Sequence, residues 1–147
     1  MPDSIKWNDD MLTGVAEIDA QHRILVDTLI EANTKLTADA SDPLFEQITR
    51  DLLAYAIYHF DTEEQLMRQC GYAPDDAAKH VGEHRSFSEQ VVALRNDARR
   101  GEPGARNALV AFLRDWLVNH IMTSDRRLGQ FIRAAAPART PAALHHD

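Results

Sequence analysis

Histidines and carboxylates are spaced along this chain so that several of them can share metal ions. His59 and Glu63 lie four residues apart in a stretch without Gly or Pro, so on a helix their side chains point to the same side, one turn apart. His80 and His84 repeat this spacing with two imidazoles, an arrangement that lets two histidines bind one metal. We therefore expect a metal site built from more than one helix.

Three further candidate ligands lie outside these pairs: His22, His120 and Asp125. His120 and Asp125 are five residues apart, which is about 140° around an ideal helix and too divergent for one site. If both are ligands, the helix is predicted to be broken, bulged or ended near residues 121–124. Taken singly, each residue also suits a core histidine or a surface ion pair. Together, unpaired in one core, they would be costly to desolvate, and metal binding satisfies all of them.

The donor set indicates the kind of centre. Imidazole with carboxylate suits iron, zinc, copper or manganese, and no thiolate is placed for a soft-metal or iron–sulfur site. Seven ligands exceed the needs of one ion. Two octahedral ions offer about 12 positions, of which five imidazoles, two bridging carboxylates and one bridging oxygen fill about 11. The remaining position suits a small diatomic molecule or anion.

Four amphipathic helices are predicted to position these ligands. Hydrophobic periodicity places them at about 18–36, 43–70, 77–100 and 105–132. The stripe predicted for the first helix consists of Ile18, His22, Leu25, Val26, Leu29, Ile30 and Leu36. Ser41 is expected to cap the second helix and Gly71 to end it. Short connections favour an all-α fold, an antiparallel up-down-up-down four-helix bundle.

The ends of the chain are predicted to differ from the bundle. Residues 1 to about 16 form an N-terminal arm, in which Trp7 is a candidate cover for one end of a ligand pocket. Residues 134–147 contain two prolines and no apolar face, so we expect a disordered tail. Residues 1–133 are expected to form one domain, because 147 residues with 44% hydrophobic content suit a single core.

Composition excludes several classes of protein. A net charge of -7 argues against nucleic-acid binding, which calls for a basic face. The single cysteine, Cys70, cannot form an intramolecular disulfide. No signal-peptide pattern and no apolar run of membrane-spanning length are found. We therefore predict a soluble, cytoplasmic monomer without membrane contact.

In order and interval, these motifs resemble the hemerythrin family, specifically its single-domain bacterial form. The resemblance covers about residues 5–133 and rests on Gly14-Val-Ala-Glu-Ile-Asp-Ala-Gln-His22, His59-Phe-Asp-Thr-Glu63, His80-Val-Gly-Glu-His84 and His120-Ile-Met-Thr-Ser-Asp125. It implies a non-haem di-iron centre, two iron ions with an oxo or hydroxo bridge, that binds dioxygen reversibly for carriage, storage or delivery. Small anions such as azide are expected to bind as well, and no enzymatic activity is expected.

The same resemblance assigns roles to the ligands. One iron, coordinatively saturated, is held by His80, His84 and His120. The iron with the open position is held by His22 and His59. Both irons are bridged by Glu63 and Asp125. A dry pocket would protect the bound ligand, and its candidate walls are Leu25, Tyr55, Trp116 and Leu117.

Other functions were weighed against this one. His80-Val-Gly-Glu83-His84 fits the H-x-x-E-H pattern of a metallopeptidase with Glu83 as general base, but it leaves the other ligands unexplained. A ferritin-type di-iron oxidase needs a paired Glu-x-x-His motif, and the sequence contains none. The same domain is also compatible with sensing oxygen, redox state or nitric oxide, or with iron buffering. The simplest alternative is a structural bundle with incidental histidines.

Overall fold

A computed structural model of the chain describes residues 7–36 and 41–135. Its α-helices are α1 Ala16–Lys35, α2 Asp42–Cys70, α3 Pro74–Arg99, α4 Ala105–His120 and α5 Arg126–Ala135. A π-helical segment, Ile121–Asp125, joins α4 directly to α5, so these three parts run on as one long helix. The predicted four-helix bundle is confirmed.

Neighbouring helices of the bundle run in opposite directions. α1 and α3 each pack against both α2 and α4. The candidate ligands lie in the first halves of α1 and α3 but in the second half of α2 and at the end of α4. Because these ligands nevertheless meet, the helices must alternate in direction.

The local sequence explains where the helices begin and end. Ser41 accepts a hydrogen bond from the Leu44 amide at 3.2 Å, which caps α2 as predicted. Gly71 ends α2 in the left-handed conformation, with φ of 68°, where glycine is favoured. α3 begins at Pro74 rather than at Ala77, because proline fits the first turn of a helix.

The main hydrophobic core fills the half of the bundle beyond the ligands. It contains Leu25, Leu29, Ala32, Leu36, Phe45, Leu52, Ala56, Phe60, Phe87, Val91, Leu109, Leu113 and Leu117. The predicted α1 stripe was wrong at Ile30, which is 37% exposed, whereas Ala32 is buried. Val26, one turn earlier, is covered by Met11 of the arm. Ile30 lies past that cover, and this explains its exposure.

The N-terminal arm lies against the side of the bundle. After Trp7 it forms a short 3-10 turn, Asp9–Met11. Met11 is buried with Val26 and Ile121, and Trp7 packs against this group. The Arg23 guanidinium lies 5.4 Å from the Trp7 ring centroid, within cation–π range. Trp7 therefore covers the seam between α1 and the π segment.

A tight turn ahead of α1 is packed against α5. Asp19 accepts hydrogen bonds from the Thr13 amide and hydroxyl, both at 2.7 Å, and from the Gly14 amide at 3.1 Å. A Cβ at Gly129 would lie 2.5 Å from the Thr13 carbonyl oxygen. Glycine is therefore required for α5 to approach this turn so closely.

The remaining predictions concern the chain ends and the membrane. α5 extends to Ala135, two residues beyond the predicted domain boundary at residue 133. The disorder predicted for the tail falls mainly on residues 136–147, which lie outside the described part of the chain, as do residues 1–6 of the arm. Among the described residues, no helix combines the length and apolarity needed to cross a membrane.

Candidate metal centre

The seven candidate ligands come together in two groups inside the bundle. The first, the three-histidine position, consists of His80, His84 and His120 with Glu63 and Asp125. The second, the two-histidine position, consists of His22 and His59 with the same two carboxylates. Within each group the ligand atoms lie within 4.8 Å of one another. Glu63 and Asp125 belong to both groups, so both groups form one continuous centre.

The imidazoles of the three-histidine position face one another. His120 Nε2 lies 3.0 Å from His80 Nε2 and 3.1 Å from His84 Nε2. Helical spacing in α3 places the rings of His80 and His84 with centroids 4.6 Å apart, one turn from each other. Three nitrogens directed at a common point suit coordination of a single cation between them.

The π segment solves the five-residue spacing between His120 and Asp125. It follows His120 directly and ends at Asp125, and its hydrogen bonds join residues five apart rather than four. Asp125 Oδ1 consequently comes within 3.1 Å of His120 Nε2. The helix deviation predicted for residues 121–124 is confirmed, and π segments of this kind occur often at functional sites.

The centre is closed to solvent, and several of its buried polar atoms lack a hydrogen-bond partner among the described residues. His22 and Glu63 have no exposed surface, and Asp125 is 1% exposed. Ligand atoms without a hydrogen-bond partner among the described residues are His22 Nε2, His59 Nε2, both carboxylate oxygens of Glu63 and Asp125 Oδ1. Even the 2.8 Å approach of His22 Nε2 to Asp125 Oδ2 lacks hydrogen-bond alignment. Buried polar atoms in this state are costly, and bound cations would satisfy them.

The electrostatics of the centre also favour cations. Burial lowers the pKa of His22, but Asp125 and Glu63 outweigh it and raise this pKa to about 9. The same balance raises the pKa of His80 to about 9 and that of His120 to about 10. Burial acts to raise the pKa of both carboxyl groups, yet the imidazoles hold these pKa values well below their ordinary range. Positive charge, as protons or as metal, is thus strongly favoured between these groups.

Three outer hydrogen-bond partners, which the sequence analysis did not assign, hold the ligand rings in place. In each pair the histidine Nδ1 donates: His59 to Gln21 at 2.7 Å, His84 to Glu64 at 2.9 Å and His120 to Glu83 at 3.1 Å. A donor at Nδ1 leaves Nε2 free to bind a metal, and such partners raise the basicity of the ligand.

The outer partners follow a rule along the sequence. Each one is adjacent in the chain to a ligand of its own helix and bonds a histidine of the next helix: α1 supports α2, α2 supports α3, and α3 supports α4. Glu83 was considered only as a peptidase base. Here it is bonded by His120 and by the Ser124 hydroxyl at 2.6 Å, and the His120 contact is the main reason that the pKa of Glu83 falls to about 2.

Aromatic rings enclose the three-histidine position. The four predicted wall residues all belong to or pack against the main core: Leu25, Tyr55, Trp116 and Leu117. Trp116 stacks on His120, with centroids 4.4 Å apart and planes 14° apart. Phe60 was not predicted, yet it stacks on His84 at 4.0 Å and 9°. These rings restrict water at the ligands and fix the planes of two imidazoles.

The comparison with known proteins agrees with this geometry. Residues 13–132 match the family model described as the Hemerythrin HHE cation binding domain. The chain belongs to the hemerythrin family. It is 31% identical over 128 residues to a bacteriohemerythrin of Stenotrophomonas maltophilia, covering 87% of this chain and 81% of that protein. A bacteriohemerythrin of Methylococcus capsulatus is 30% identical over 122 residues, with coverage of 83% and 91%.

A more distant relative comes from a eukaryote. The hemerythrin-like protein of Naegleria gruberi is 27% identical over 127 residues, covering 86% of this chain and 92% of that protein. The hemerythrin family binds non-haem iron, and the buried histidine and carboxylate cluster of this chain is able to hold metal. Family membership and donor chemistry therefore indicate the same kind of centre.

Proposed function

We propose that this hemerythrin-family chain binds dioxygen reversibly at a di-iron centre, as a carrier, store or delivery protein. The observation that carries the proposal is the sharing of Glu63 and Asp125 between two buried groups of histidines. A carboxylate with one oxygen toward each group can bridge two ions, and five imidazoles are too many for one ion. The donor set is also that of an iron site.

The two positions would be filled unequally by protein ligands. Three imidazoles and two carboxylate oxygens would hold one iron, whereas two imidazoles and two carboxylate oxygens would hold the other. The two-histidine position supplies one imidazole fewer, so an ion held there would keep an open place for a small ligand. A pair of irons bound in this way supplies the redox chemistry on which reversible dioxygen binding depends.

The surrounding residues of the chain serve the same function. Leu25 and Leu117, two of the predicted walls of the pocket, are buried in the main core, and apolar walls would exclude the water that competes for the open place. Gln21 orients His59 through its hydrogen bond at 2.7 Å and adds no charge at the two-histidine position. The centre thus offers room for one small ligand, which favours binding over two-substrate catalysis. A non-enzymatic, monomeric and cytoplasmic protein remains part of the proposal.

Iron analysis combined with absorption spectroscopy tests this function. The purified full chain is expected to hold two irons. Its charge-transfer bands should appear in air, disappear on deoxygenation and return when air is readmitted. Azide should give a related spectrum. Glu63→Gln should lose iron, while Glu89→Gln, an exposed carboxylate on α3, should keep it. A colourless protein without iron, or one zinc with peptidase activity, would refute the proposal.

A further inference from the structure

The two metal positions differ in the charge of their outer partners as well as in their number of histidines. At the three-histidine position, two imidazoles donate to carboxylates, His84 to Glu64 and His120 to Glu83. At the two-histidine position the partner is a neutral amide, Gln21. The difference is one of chemistry and not of contact length, because the three contacts span only 2.7–3.1 Å.

The remaining rings do not offset this difference. His22 Nδ1 and His80 Nδ1 are both buried without a hydrogen-bond partner among the described residues, so each position contains one unsupported imidazole. What remains is two supported imidazoles with anionic partners against one with a neutral partner. Side chains of Glu64 and Glu83 are only 27% and 30% exposed, which limits the screening of their charge by water.

An anionic outer partner strengthens a metal ligand. A carboxylate that accepts the Nδ1 hydrogen bond makes the imidazole more electron-rich at Nε2 and fixes the orientation of the ring. Removal of such a partner typically lowers metal affinity by about 10–100-fold. The three-histidine position has two of these partners and also one more imidazole.

We infer that the two positions load in order: the three-histidine position binds the first ion tightly, and the two-histidine position binds the second ion more weakly and releases it first. The inference deepens the proposed function and rests on it, since it needs two positions. Because the open place belongs to the weakly bound ion, dioxygen capacity would depend on the supply of iron. A chain holding one ion would still be stabilised by the ion at the three-histidine position, but it would lack the position that binds dioxygen.

Competition with a chelator tests this order. The full chain is loaded with Co²⁺, equilibrated with increasing chelator, and analysed for metal bound per chain. We expect two separate steps of release. A double variant, His22→Ala with His59→Ala, should retain one Co²⁺ that is released at the chelator concentration of the tighter wild-type step.

Near-isosteric changes of the outer partners give a test that spares the ligands. Glu64→Gln should lower the chelator concentration needed for the tighter step by about 10–100-fold. The chelator concentration of the weaker step should not change. Gln21→Glu should move the weaker step in the opposite direction. Their matched surface controls, Glu89→Gln and Gln90→Glu, should change neither step. Circular dichroism establishes that each variant retains its helices.

The outcomes separate the two claims. Two ions released in a single step, or a Gln21→Glu variant identical to wild type, would overturn ordered loading while leaving the di-iron proposal intact. A weaker step that responds to Glu64→Gln would also overturn it, because the order would be reversed. A wild-type chain that binds fewer than two ions would contradict the proposed function itself, and ordered loading with it.

Discussion

The two ends of the bundle are built from the same four helices but are stabilised by different means. The apolar end, beyond the ligands, has a continuous core that includes Leu29, Leu36, Phe45, Leu52, Val91 and Leu109. The site end has a polar interior of five histidines and two carboxylates, and the apolar clusters near it are smaller: Ile18, Met67, Tyr72 and Leu128, and Met11, Val26 and Ile121. Burial of apolar surface therefore stabilises the apolar end, whereas bound cations would stabilise the polar interior of the site end.

The difference shows how one fold can have a rigid scaffold and a metal-dependent site. At the apolar end, packing contributes about 25 cal/mol for each Å² buried and needs no ligand. At the site end, metal binding and folding are coupled, because the ligands must lose their protons and converge. Variants and conditions that change one end therefore show whether the other end depends on it.

Metal removal should have the largest effect and should act on the site end. A ligand at about 1,000 times its dissociation constant stabilises the folded state by about 4 kcal/mol, so chelation of ions held this tightly should lower the free energy of unfolding by about this amount. Hydrogen exchange should rise in the π segment and near His80, while amides near Leu52 and Leu109 stay protected. Equal loss of protection at both ends would show that the apolar end depends on bound metal as much as the site end does.

Leu52→Ala should damage the apolar end alone. Leu52 is fully buried in the main core, and truncation of such a leucine usually costs about 2–5 kcal/mol, including the cavity that it leaves. Chemical denaturation should show this loss with two irons still bound. Leu44→Ala, on the same helix at a position 37% exposed, is the control and should change little. Loss of iron from Leu52→Ala would show that the ends are not independent.

Gly129→Ala and Gly82→Ala should have opposite signs. The new methyl group at residue 129 would meet the Thr13 carbonyl oxygen at 2.5 Å, and overpacking of this kind costs about 1–3 kcal/mol. At Gly82, inside α3, nothing lies within 4 Å of the new Cβ, so alanine should stabilise the helix by up to about 1 kcal/mol. Melting temperatures measure both, and a stabilised Gly129→Ala variant would contradict the close packing of α5.

Glu46→Gln should have the smallest effect. Glu46 accepts hydrogen bonds from Arg99 at 2.7 and 2.9 Å and from Arg95 at 2.9 Å. The Arg99 bond is the main reason that the pKa of Glu46 falls from 4.5 to about 2. A carboxyl pKa that is lower in the folded protein stabilises the fold at pH values above the ordinary pKa. This stabilisation is lost as the pH falls from 4.5 toward 2.

Urea unfolding of wild type and Glu46→Gln measures that dependence. The difference in the free energy of unfolding between the two proteins should be small, as for surface ion pairs generally. It should be greater at about pH 7 than at about pH 3. Iron content at neutral pH should not change. A difference that grows as the pH falls would mean that the ion pairs do not account for the lowered pKa.

Much of the site could be predicted because its geometry is local to each helix. The spacing of His59 from Glu63, and of His80 from His84, fixes their common face once the segments are helical. The five-residue gap from His120 to Asp125 predicted the deviation that the π segment provides. In the same way, Ser41 and Gly71 marked the ends of α2.

The outer partners could not be predicted because they depend on the rotation of one helix against another. Gln21, Glu64 and Glu83 each lie beside a ligand in the chain, but so do Lys79 and Arg85, which are exposed. The exposure of Ile30 was missed for a related reason, since the described part of the arm packs on Val26 and not on Ile30. For the three outer partners and Ile30, contacts between segments that are distant in sequence determine the bonding partner or the exposure of the side chain.

The central claim is that the shared carboxylates hold two irons between unequal sets of histidines. Anomalous diffraction at the iron edge, from crystals of the full chain, tests it most directly. Two peaks are expected inside the bundle, one against His80, His84 and His120 and one against His22 and His59, with Glu63 and Asp125 between them. A single peak, or iron bound elsewhere in the chain, would contradict it.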